Sequence, residues 1–496
     1  MKRPQLIATA GLICLLTSLT AGAAERYAPN WESLDTRPCP PWFQDAKFGI
    51  FIHWGVYSVP AWSPKRTYAE WYWNSLTRTK QGETPHHDPK GETWRYHVKN
   101  YGEDFEYPDF VRSFKAQSFD PDHWAKVFAR SGARYVVLTS KHHDGFCLFK
   151  SEHANRSWGR AWNSVDAGPR RDLLGDLGES VRKQGLKMGF YYSMYEWYNP
   201  LWLTDRAVFV EKHMLPQLKD LVTRYKPSII FSDGEWDMPS HEWKSEEFLA
   251  WLYNESPVLE DVIVNDRWGE KTRHLHGTYY TTEYTSGFKD TDHPWEESRG
   301  MGHSYGYNRN ESLADYKPAR ELLLMLIDLV SRGGNLLLDI GPTADGRIPV
   351  IMEERLLEIG AWLEAHGEAI YGTNPWRVNR QWSPGEKPTV EYGGVYKVKY
   401  AIADVTGDRE PPKAVIEAFF TAKGDTLYAI TPRWPGRQFV VQDVTPSEHT
   451  VVTLVPREQP LKWKRDGSGI VIELPPLSPA DADPQQTYAL KLTNVR

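Results

Sequence analysis

Six short apolar runs recur along the first 340 residues, and polar or charged residues follow each of them. The runs cover residues 47–52, 135–139, 187–192, 229–231, 262–264 and 335–338. They are nearly continuous in hydrophobic residues rather than alternating, which is typical of strands buried on both faces of a sheet. The pattern therefore predicts six strands of a parallel sheet.

Amphipathic helical patterns separate these runs and cover residues 121–131, 173–184, 210–225, 246–254 and 320–331. Strands that alternate with helices over roughly 300 residues indicate an α/β fold, and the length suits a TIM-like (β/α) barrel. A doubly wound open sheet is the alternative. No glycine-rich phosphate loop follows the first strand, which disfavours the nucleotide-binding form of that fold.

Beyond residue 375 the pattern changes to short alternating runs separated by turn residues. These runs cover residues 414–420, 426–430, 439–441 and 470–474. Such spacing is typical of an antiparallel β-sandwich. We therefore expect the barrel to occupy residues 25–375 and a C-terminal antiparallel β-sandwich to occupy residues 376–496.

The first 24 residues have the composition of a secretory signal peptide. Lys2 and Arg3 precede an apolar stretch, and small residues lie around Ala23. A positive start, an apolar middle and a small-residue cleavage site together predict export. The apolar stretch is short and interrupted by Thr and Ser, so a membrane anchor is disfavoured. We expect the mature protein to be periplasmic or extracellular, with no membrane insertion.

Composition narrows the possible partners. Once Lys2 and Arg3 leave with the signal peptide, 57 basic residues remain against 65 acidic ones, a formal charge of −8. Mild acidity without a basic run argues against nucleic acid as a partner.

Cys39 and Cys147 permit one disulfide, but two buried thiols are the favoured interpretation. The 22 Trp, 26 Tyr and 18 Phe residues suit sugar binding, because aromatic rings stack on pyranose faces.

Residues whose side chains can take part in catalysis follow the apolar runs. His53 follows the first run, His142 and His143 the second, Asp233 the fourth and Arg267 the fifth. In a barrel, the carboxyl ends of the strands converge on one site. Each residue singly has a structural explanation; Asp233, for example, precedes Gly234 in what could be a simple turn. Their joint occurrence at successive strand ends favours an active site.

A metallohydrolase centre is one possible use of three His and an Asp at strand ends. His142 and His143, however, point in opposite directions if the strand continues through them. The only His-x-His pair, His274 and His276, follows a polar stretch and does not close an apolar strand. We therefore favour a site without metal.

Hydrolysis of a glycoside is the other possible use. A retaining glycosidase needs two carboxyl groups about 5 to 5.5 Å apart, one as the nucleophile and one as the acid/base. Asp233 is the natural nucleophile. The second carboxyl group is expected in the segment 292–298, which we interpret as a loop carrying Glu296 and Glu297. Desolvation beside Trp295 would raise the pKa of such a carboxyl group, as an acid/base requires.

Taken together, these residues form a recognisable set. The chain resembles the α-L-fucosidases of glycoside hydrolase family 29 in seven segments that occur in order over the first domain. They are residues 42–55, 70–72, 141–146, 189–193, 232–236, 265–269 and 304–307. The resemblance implies a retaining exo-hydrolase that releases terminal α-L-fucose from oligosaccharides or glycoconjugates through a covalent fucosyl-enzyme, with no cofactor.

The resemblance also implies roles for individual residues. Asp233 lies where the family has its nucleophile, and Glu296 is the favoured acid/base, ahead of Glu297 and then Glu283. Phe51 would contact the C5 methyl group of fucose. The full set of residues expected to bind the sugar is Phe51, His53, Glu70, Trp71, His142, His143, Tyr192 and Arg267.

A protein of a different class, a fucose-binding protein without catalysis on the same scaffold, is the alternative hypothesis. The presence of Asp233 and a plausible acid disfavours it. The sequence does not indicate the linkage, the aglycone or the oligomeric state.

Overall fold

Eight parallel strands follow one another along the first 340 residues of the computed structural model. It describes residues 26–394, 396, 401–408, 410–479 and 482–496, so the predicted signal peptide lies outside the described residues. The strands are β1 Phe48–Ile52, β2 Tyr135–Lys141, β3 Lys187–Ser193, β4 Ile229–Asp233, β5 Ile263–Val264, β6 Tyr280–Glu283, β7 Trp295–Gly300 and β8 Gly334–Ile340.

These strands form one curled sheet in the order β5-β4-β3-β2-β1-β8-β7-β6, and every pairing in it is parallel. This is the circular order of a (β/α) barrel with its seam between β5 and β6. At the seam, the N–H groups of Thr278 and Tyr279 donate to the Val264 carbonyl at 3.0 and 3.3 Å. The prediction of a TIM-like barrel is confirmed, and the doubly wound alternative is wrong.

The six predicted strands are all present, but β6 and β7 have no counterpart among them. The expectation that residues 292–298 form a loop holds for 292–294 but is wrong for 295–298, because Trp295–Gly300 is a strand with all six residues buried. This strand is mostly polar, and its side chains find partners elsewhere in the barrel. Glu297, for example, accepts a hydrogen bond from the Thr285 N–H at 2.8 Å. Because β7 contains no apolar run, the hydrophobic pattern of the sequence could not predict this strand.

Helices pack their apolar faces against the outside of the sheet. The α-helices of seven or more residues are Tyr72–Lys80, Glu92–Tyr101, Pro121–Arg130, Glu152–Trp158, Leu173–Lys183, Leu215–Tyr225, Ser245–Asn254, Ala319–Ser331 and Val350–His366, and Tyr107–Ser113 is a 3₁₀ helix. Shorter α-helices are Trp31–Leu34, Pro41–Ala46, Pro200–Thr204, Arg206–Phe209, Ser240–Trp243 and Ile402–Thr406, and Val210–Met214 is a π-helical turn. Asp120 and Asp172 cap two of the longer helices with their side chains, as such residues do at helix N-termini.

The C-terminal region consists of antiparallel strands in two sheets, one of five strands and one of three. The buried residues Phe420, Phe439 and Ile472 contribute to one hydrophobic cluster shared by the two sheets. The predicted antiparallel sandwich is confirmed. Its strands are β9 Asn374–Trp382, β10 Ile416–Lys423, β11 Thr426–Thr431, β12 Gln438–Val441, β13 Pro446–Leu454, β14 Trp463–Asp466, β15 Gly469–Glu473 and β16 Tyr488–Val495. The two sheets have the strand orders β13-β16-β11-β10-β9 and β12-β15-β14.

A buried ion-pair network joins the sandwich to the barrel. Asp328, on the barrel helix Ala319–Ser331, contacts Arg380 of β9 at 2.7 Å and Arg332 at 2.8 Å. All three side chains are almost completely buried. A buried ion pair adds little to the net free energy of unfolding. A packing arrangement that leaves one of its charges buried without the other is, however, strongly destabilised. The network therefore fixes how the sandwich sits against the barrel.

Two further sequence expectations concern cysteines and membranes. Cys39 and Cys147 are both free thiols, with Cys147 buried and Cys39 partly buried. Among the described residues, no helix has both the length and the apolar character needed to cross a bilayer.

Candidate active site

A cavity of about 280 Å³ opens where the carboxyl ends of the barrel strands meet. Most of the residues expected at the site line it, whereas Tyr192 and Glu296 do not. The predicted residues that line the cavity are Phe51, His53, Glu70, Trp71, His142, His143, Asp233 and Arg267.

Asp233 is the last residue of β4, and both of its carboxylate oxygens are held. Oδ1 accepts from Arg267 Nη1 and Oδ2 accepts from the Tyr191 hydroxyl, each at 2.8 Å. Arg273 Nη2 lies 3.5 Å from Oδ1. Burial by itself raises the pKa of Asp233, but Arg267, His143 and Arg273 outweigh it and lower the pKa to about 2. The group is therefore an oriented carboxylate at neutral pH.

Glu283 is the last residue of β6, just as Asp233 is the last residue of β4. Its Oε1 accepts a hydrogen bond from the Tyr68 hydroxyl at 2.9 Å, and its Oε2 lies 3.3 Å from Arg267 Nη2. Arg267 therefore bridges the two carboxyl groups with separate nitrogens of one guanidinium. In the sequence, Glu283 ranks behind Glu296 and Glu297, because β6 has no apolar run that would have predicted a strand ending at Glu283.

Glu296 lies in the barrel interior near the opposite end of the sheet. It pairs with Asn335, the second residue of β8, and accepts a hydrogen bond from Tyr135, the first residue of β2. The expectation that Glu296 lies beside the pocket is therefore wrong. Side chains alternate along a strand, so Ser298, two residues further along β7, is the residue of this face that lines the cavity.

Tyr192 faces away from the cavity. Its hydroxyl donates to Gln217 Oε1 at 2.9 Å and to the Met214 carbonyl at 3.1 Å, so the side chain packs against helices outside the sheet. Tyr192, which we expected to bind substrate, therefore does not line the cavity. Its neighbour Tyr191 points inward and contacts Asp233 instead, because successive residues of a strand face opposite sides.

Two histidines of the pocket are fixed by hydrogen bonds on one ring nitrogen. His53 Nδ1 lies 2.7 Å from Asp339 Oδ1, and His143 Nδ1 lies 2.6 Å from Ser193 Oγ. Burial lowers the pKa of His53 to about 3 and that of His143 to about 4. Both rings are therefore neutral at physiological pH and suited to hydrogen bonding with hydroxyl groups.

Across the part of the chain that the structure describes, no three His, Cys, Asp or Glu side chains are grouped as metal ligands. His143 has one ring nitrogen on Ser193 and the other 3.5 Å from Asp233.

Glu70 and Trp71 reach the pocket from a short 3₁₀ turn, Ala69–Trp71. Glu70 Oε2 accepts from the Gly306 N–H at 2.8 Å, and burial raises the pKa of Glu70 to about 7. The Trp71 ring lies 4.9 Å from that of Trp197. One wall of the pocket thus combines a carboxyl group with an aromatic face.

Phe51 and Phe231 form an apolar patch within the cavity, with ring centroids 5.0 Å apart. The Arg267 guanidinium lies 4.9 Å from the Phe231 ring. The same cavity therefore presents apolar surface, neutral hydrogen-bonding rings and two carboxyl groups joined by one cation. This combination suits a sugar with both hydroxyl groups and an apolar substituent.

Comparison with known families agrees with this geometry. The family model described as alpha-L-fucosidase matches residues 14–368, and the model of the alpha-L-fucosidase C-terminal domain matches residues 414–493. The chain belongs to the alpha-L-fucosidase family. The resemblance found in the sequence to glycoside hydrolase family 29 is thereby confirmed, and the protein is a glycoside hydrolase with α-L-fucosidase activity.

Individual relatives cover almost the whole chain. The human tissue alpha-L-fucosidase is 41% identical over 98% of this chain and 98% of its own length. The alpha-L-fucosidase of Dictyostelium discoideum is 45% identical over 79% of this chain and 84% of its own length. Among solved structures, a Thermotoga maritima alpha-fucosidase in complex with a mechanism-based inhibitor has a TM-score of 0.75 at 36% identity, covering 94% of this chain and 100% of that one.

Proposed function

We propose that the protein is a retaining, exo-acting α-L-fucosidase that removes terminal α-L-fucose from oligosaccharides or glycoconjugates through a covalent fucosyl-enzyme. The observation that carries this proposal is the bridge from Arg267 to both Asp233 and Glu283. The carboxyl groups of a retaining pair lie about 5 to 5.5 Å apart, and a guanidinium shared by both groups is compatible with that separation. Thermotoga maritima alpha-fucosidase has been solved with fucose, which supports the choice of sugar.

In the first step, Asp233 attacks the anomeric carbon and forms an ester with the sugar, while a carboxylic acid protonates the departing oxygen. Asp233 is suited to this role because its lowered pKa keeps it ionised. We assign the acid to Glu283 instead of Glu296, because Glu283 lines the cavity and Glu296 lies at the far end of β7.

In the second step, the Glu283 carboxylate takes a proton from water, and the resulting hydroxide attacks the anomeric carbon. The ester bond to Asp233 breaks, and fucose leaves with its original α configuration. Both steps invert the anomeric centre, so the overall reaction retains it. Arg267 contacts both carboxyl groups and neutralises part of their charge throughout.

Substrate recognition is assigned to the remaining walls of the cavity. The neutral rings of His53 and His143, together with His142, are suited to hydrogen bonds with the ring hydroxyls. The apolar patch of Phe51 and Phe231 is suited to the C5 methyl group, which distinguishes fucose from a sugar with a hydroxymethyl group at that carbon. A buried hydroxyl without a partner there would cost roughly 1–3 kcal/mol.

A proton NMR time course with an aryl α-L-fucoside, recorded with and without EDTA, tests this function. We expect α-fucose to appear first and then to mutarotate, at the same rate in both samples. If β-fucose appears first, the mechanism is inverting and Asp233 acts as a base. Absence of any release would favour the fucose-binding alternative, and loss of activity with EDTA would indicate a metal.

We also propose that the protein is exported after cleavage of an N-terminal signal peptide. The basis is the composition of residues 1–24. Intact-mass measurement on protein recovered from outside the cytoplasm should give the mass of a chain that begins near residue 25. A full-length mass in that fraction would contradict cleavage.

A further inference from the structure

A segment of the C-terminal region crosses to the barrel and reaches the pocket. It follows β9 and is attached to the connection between β6 and β7 at two points. Ser286 donates its hydroxyl to the Glu391 carbonyl, and Gly393 donates its N–H to the Gly287 carbonyl at 2.8 Å. These bonds hold the segment above the barrel edge on which Glu283 lies.

Tyr396, three residues beyond the second bond, lines the cavity. Its ring meets that of Tyr68 edge-on, with centroids 6.1 Å apart and 83° between the planes. A hydrogen bond also joins the two side chains. Since Tyr68 donates its hydroxyl to Glu283 Oε1 at 2.9 Å, Tyr396 is linked to Glu283 through a single intermediate residue.

The chemistry of Tyr396 suits contact with a sugar. Burial raises its pKa above the ordinary value, so the side chain remains a neutral phenol. Its ring packs against the aromatic cluster of the pocket but is only partly buried. A partly exposed phenol offers both an apolar face and a polar tip to a ligand.

The position of Glu283 indicates which part of the substrate Tyr396 meets. An acid that protonates the departing oxygen must lie within hydrogen-bond reach of it. Asp233, on the other side of Arg267, faces the anomeric carbon. Groups on the Tyr68 side of Glu283 are therefore closest to the leaving group, whereas those around His53 and Phe51 are closest to the fucose ring.

We propose that Tyr396 is a specificity-determining residue that binds the leaving-group sugar, so that the C-terminal domain contributes directly to the choice of aglycone. This inference rests on the proposed function, in particular on Glu283 as the acid. It assigns the C-terminal region a role in substrate selection in addition to bracing the barrel.

The test compares a substrate with a leaving sugar to one with none. Initial rates are measured for α-L-fucosyl-(1→2)-galactose and for α-L-fucosyl fluoride with the wild type, Tyr396→Ala and Tyr396→Phe. Tyr392→Ala is the matched control, because Tyr392 lies in the same segment and packs on Arg332. Thermal unfolding of each variant checks that the fold is kept.

We expect Tyr396→Ala to lower kcat/KM for the disaccharide about tenfold, because one stacking contact with the leaving sugar is lost. Its kcat/KM for the fluoride should stay within about twofold of wild type, because that substrate has no sugar to contact Tyr396. Tyr396→Phe keeps the ring and should retain at least half of the disaccharide rate. The control should behave as wild type on both substrates.

Equal losses on both substrates, or no loss on the disaccharide, would overturn the proposal. So would a Tyr396→Phe variant as weak as Tyr396→Ala, because the ring would then not be the contact. A failure of the proposed function is distinguishable from these outcomes. In that case the wild-type protein itself would release no fucose from either substrate.

Discussion

Arg267 Nη1 lies 2.8 Å from Asp233 Oδ1, and the two side chains form a buried ion pair at the end of the barrel. The pair has two consequences. It keeps the carboxylate ionised and correctly oriented for attack on an electrophilic carbon. It also means that removal of Asp233 leaves a buried cation without this anion, in a cavity large enough for a small ligand.

The first prediction concerns the Asp233→Gly variant. We expect kcat for an activated aryl fucoside to fall by on the order of 10⁴-fold, because the attacking group is lost. Sodium azide should restore part of the rate, since the anion can occupy the space beside Arg267 and attack in place of the carboxylate. The product should be β-L-fucosyl azide, identified by NMR.

Asp237→Gly is the matched control, because Asp237 is an exposed acid four residues away that contacts Arg206 at 3.6 Å. It should keep wild-type activity and show no response to azide. An α-configured azide, or activity in Asp233→Gly without any added anion, would remove Asp233 from the role of nucleophile.

The second prediction uses two adjacent tyrosines on opposite faces of β3. Tyr191→Phe removes a hydrogen bond to the Asp233 carboxylate, and a bond to a charged group is worth about 1.5–3 kcal/mol. We expect kcat/KM to fall by roughly 10- to 100-fold. Tyr192→Phe should leave kcat/KM unchanged.

Tyr192→Phe should instead lower the free energy of unfolding by about 1 kcal/mol, because Gln217 and the Met214 carbonyl lose a buried donor. Urea unfolding and initial rates, measured on both variants, check the two halves of the prediction. If Tyr192→Phe lost more activity than Tyr191→Phe, our description of which tyrosine faces the cavity would be wrong.

The strand ends explain why much of the site could be predicted from sequence. Asp233 and Arg267 follow apolar runs, and such runs are local signals that need no knowledge of distant partners. The barrel geometry then brings the two together across 34 residues of chain. Position along a strand was sufficient to find them.

Glu296 shows what local signals lack. It occurs in a polar stretch, so the strand β7 was interpreted as a loop, yet its side chain is buried against Tyr135, 161 residues earlier in the chain. Burial of a polar strand depends on partners that only the folded sheet supplies. Tyr192 illustrates a related limit of sequence-based prediction. A one-residue change in register exchanges the inner and outer faces of a strand, so the sequence did not reveal that Tyr191, and not Tyr192, faces the cavity.

The third prediction compares Glu283→Gln with Glu296→Gln. For the disaccharide α-L-fucosyl-(1→2)-galactose, Glu283→Gln should lower kcat about 10²- to 10⁴-fold, the usual contribution of a general acid. Fucosyl fluoride needs little protonation, so its first step should be far less affected. Glu296→Gln should remain close to wild type on both substrates, as steady-state rates will reveal.

Equal damage to both substrates in Glu283→Gln would indicate a binding role and not acid catalysis. A severe loss of the disaccharide rate in a folded Glu296→Gln protein would return the acid/base role to Glu296.

The last prediction concerns stability and pH. Burial raises the pKa of Glu296 to about 8 from an ordinary value of 4.5. The folded protein therefore keeps a proton that the unfolded chain releases above pH 4.5. The contribution of this pKa difference to the free energy of unfolding has its full value below pH 4.5, and it is lost as the pH rises to 8. Above pH 6.5 the buried histidines contribute progressively less to the pH dependence of this free energy, because their unfolded forms are at least half neutral there.

Glutamine mimics the protonated carboxyl group at every pH. The free energy of unfolding of Glu296→Gln should therefore decrease less than that of wild type between pH 6.5 and 8, by about 1–2 kcal/mol. Urea unfolding at several pH values measures this difference. Glu247→Gln, on an exposed helix position, should keep the wild-type slope. Parallel curves for wild type and Glu296→Gln would mean that Glu296 ionises as readily in the folded protein as in the unfolded chain.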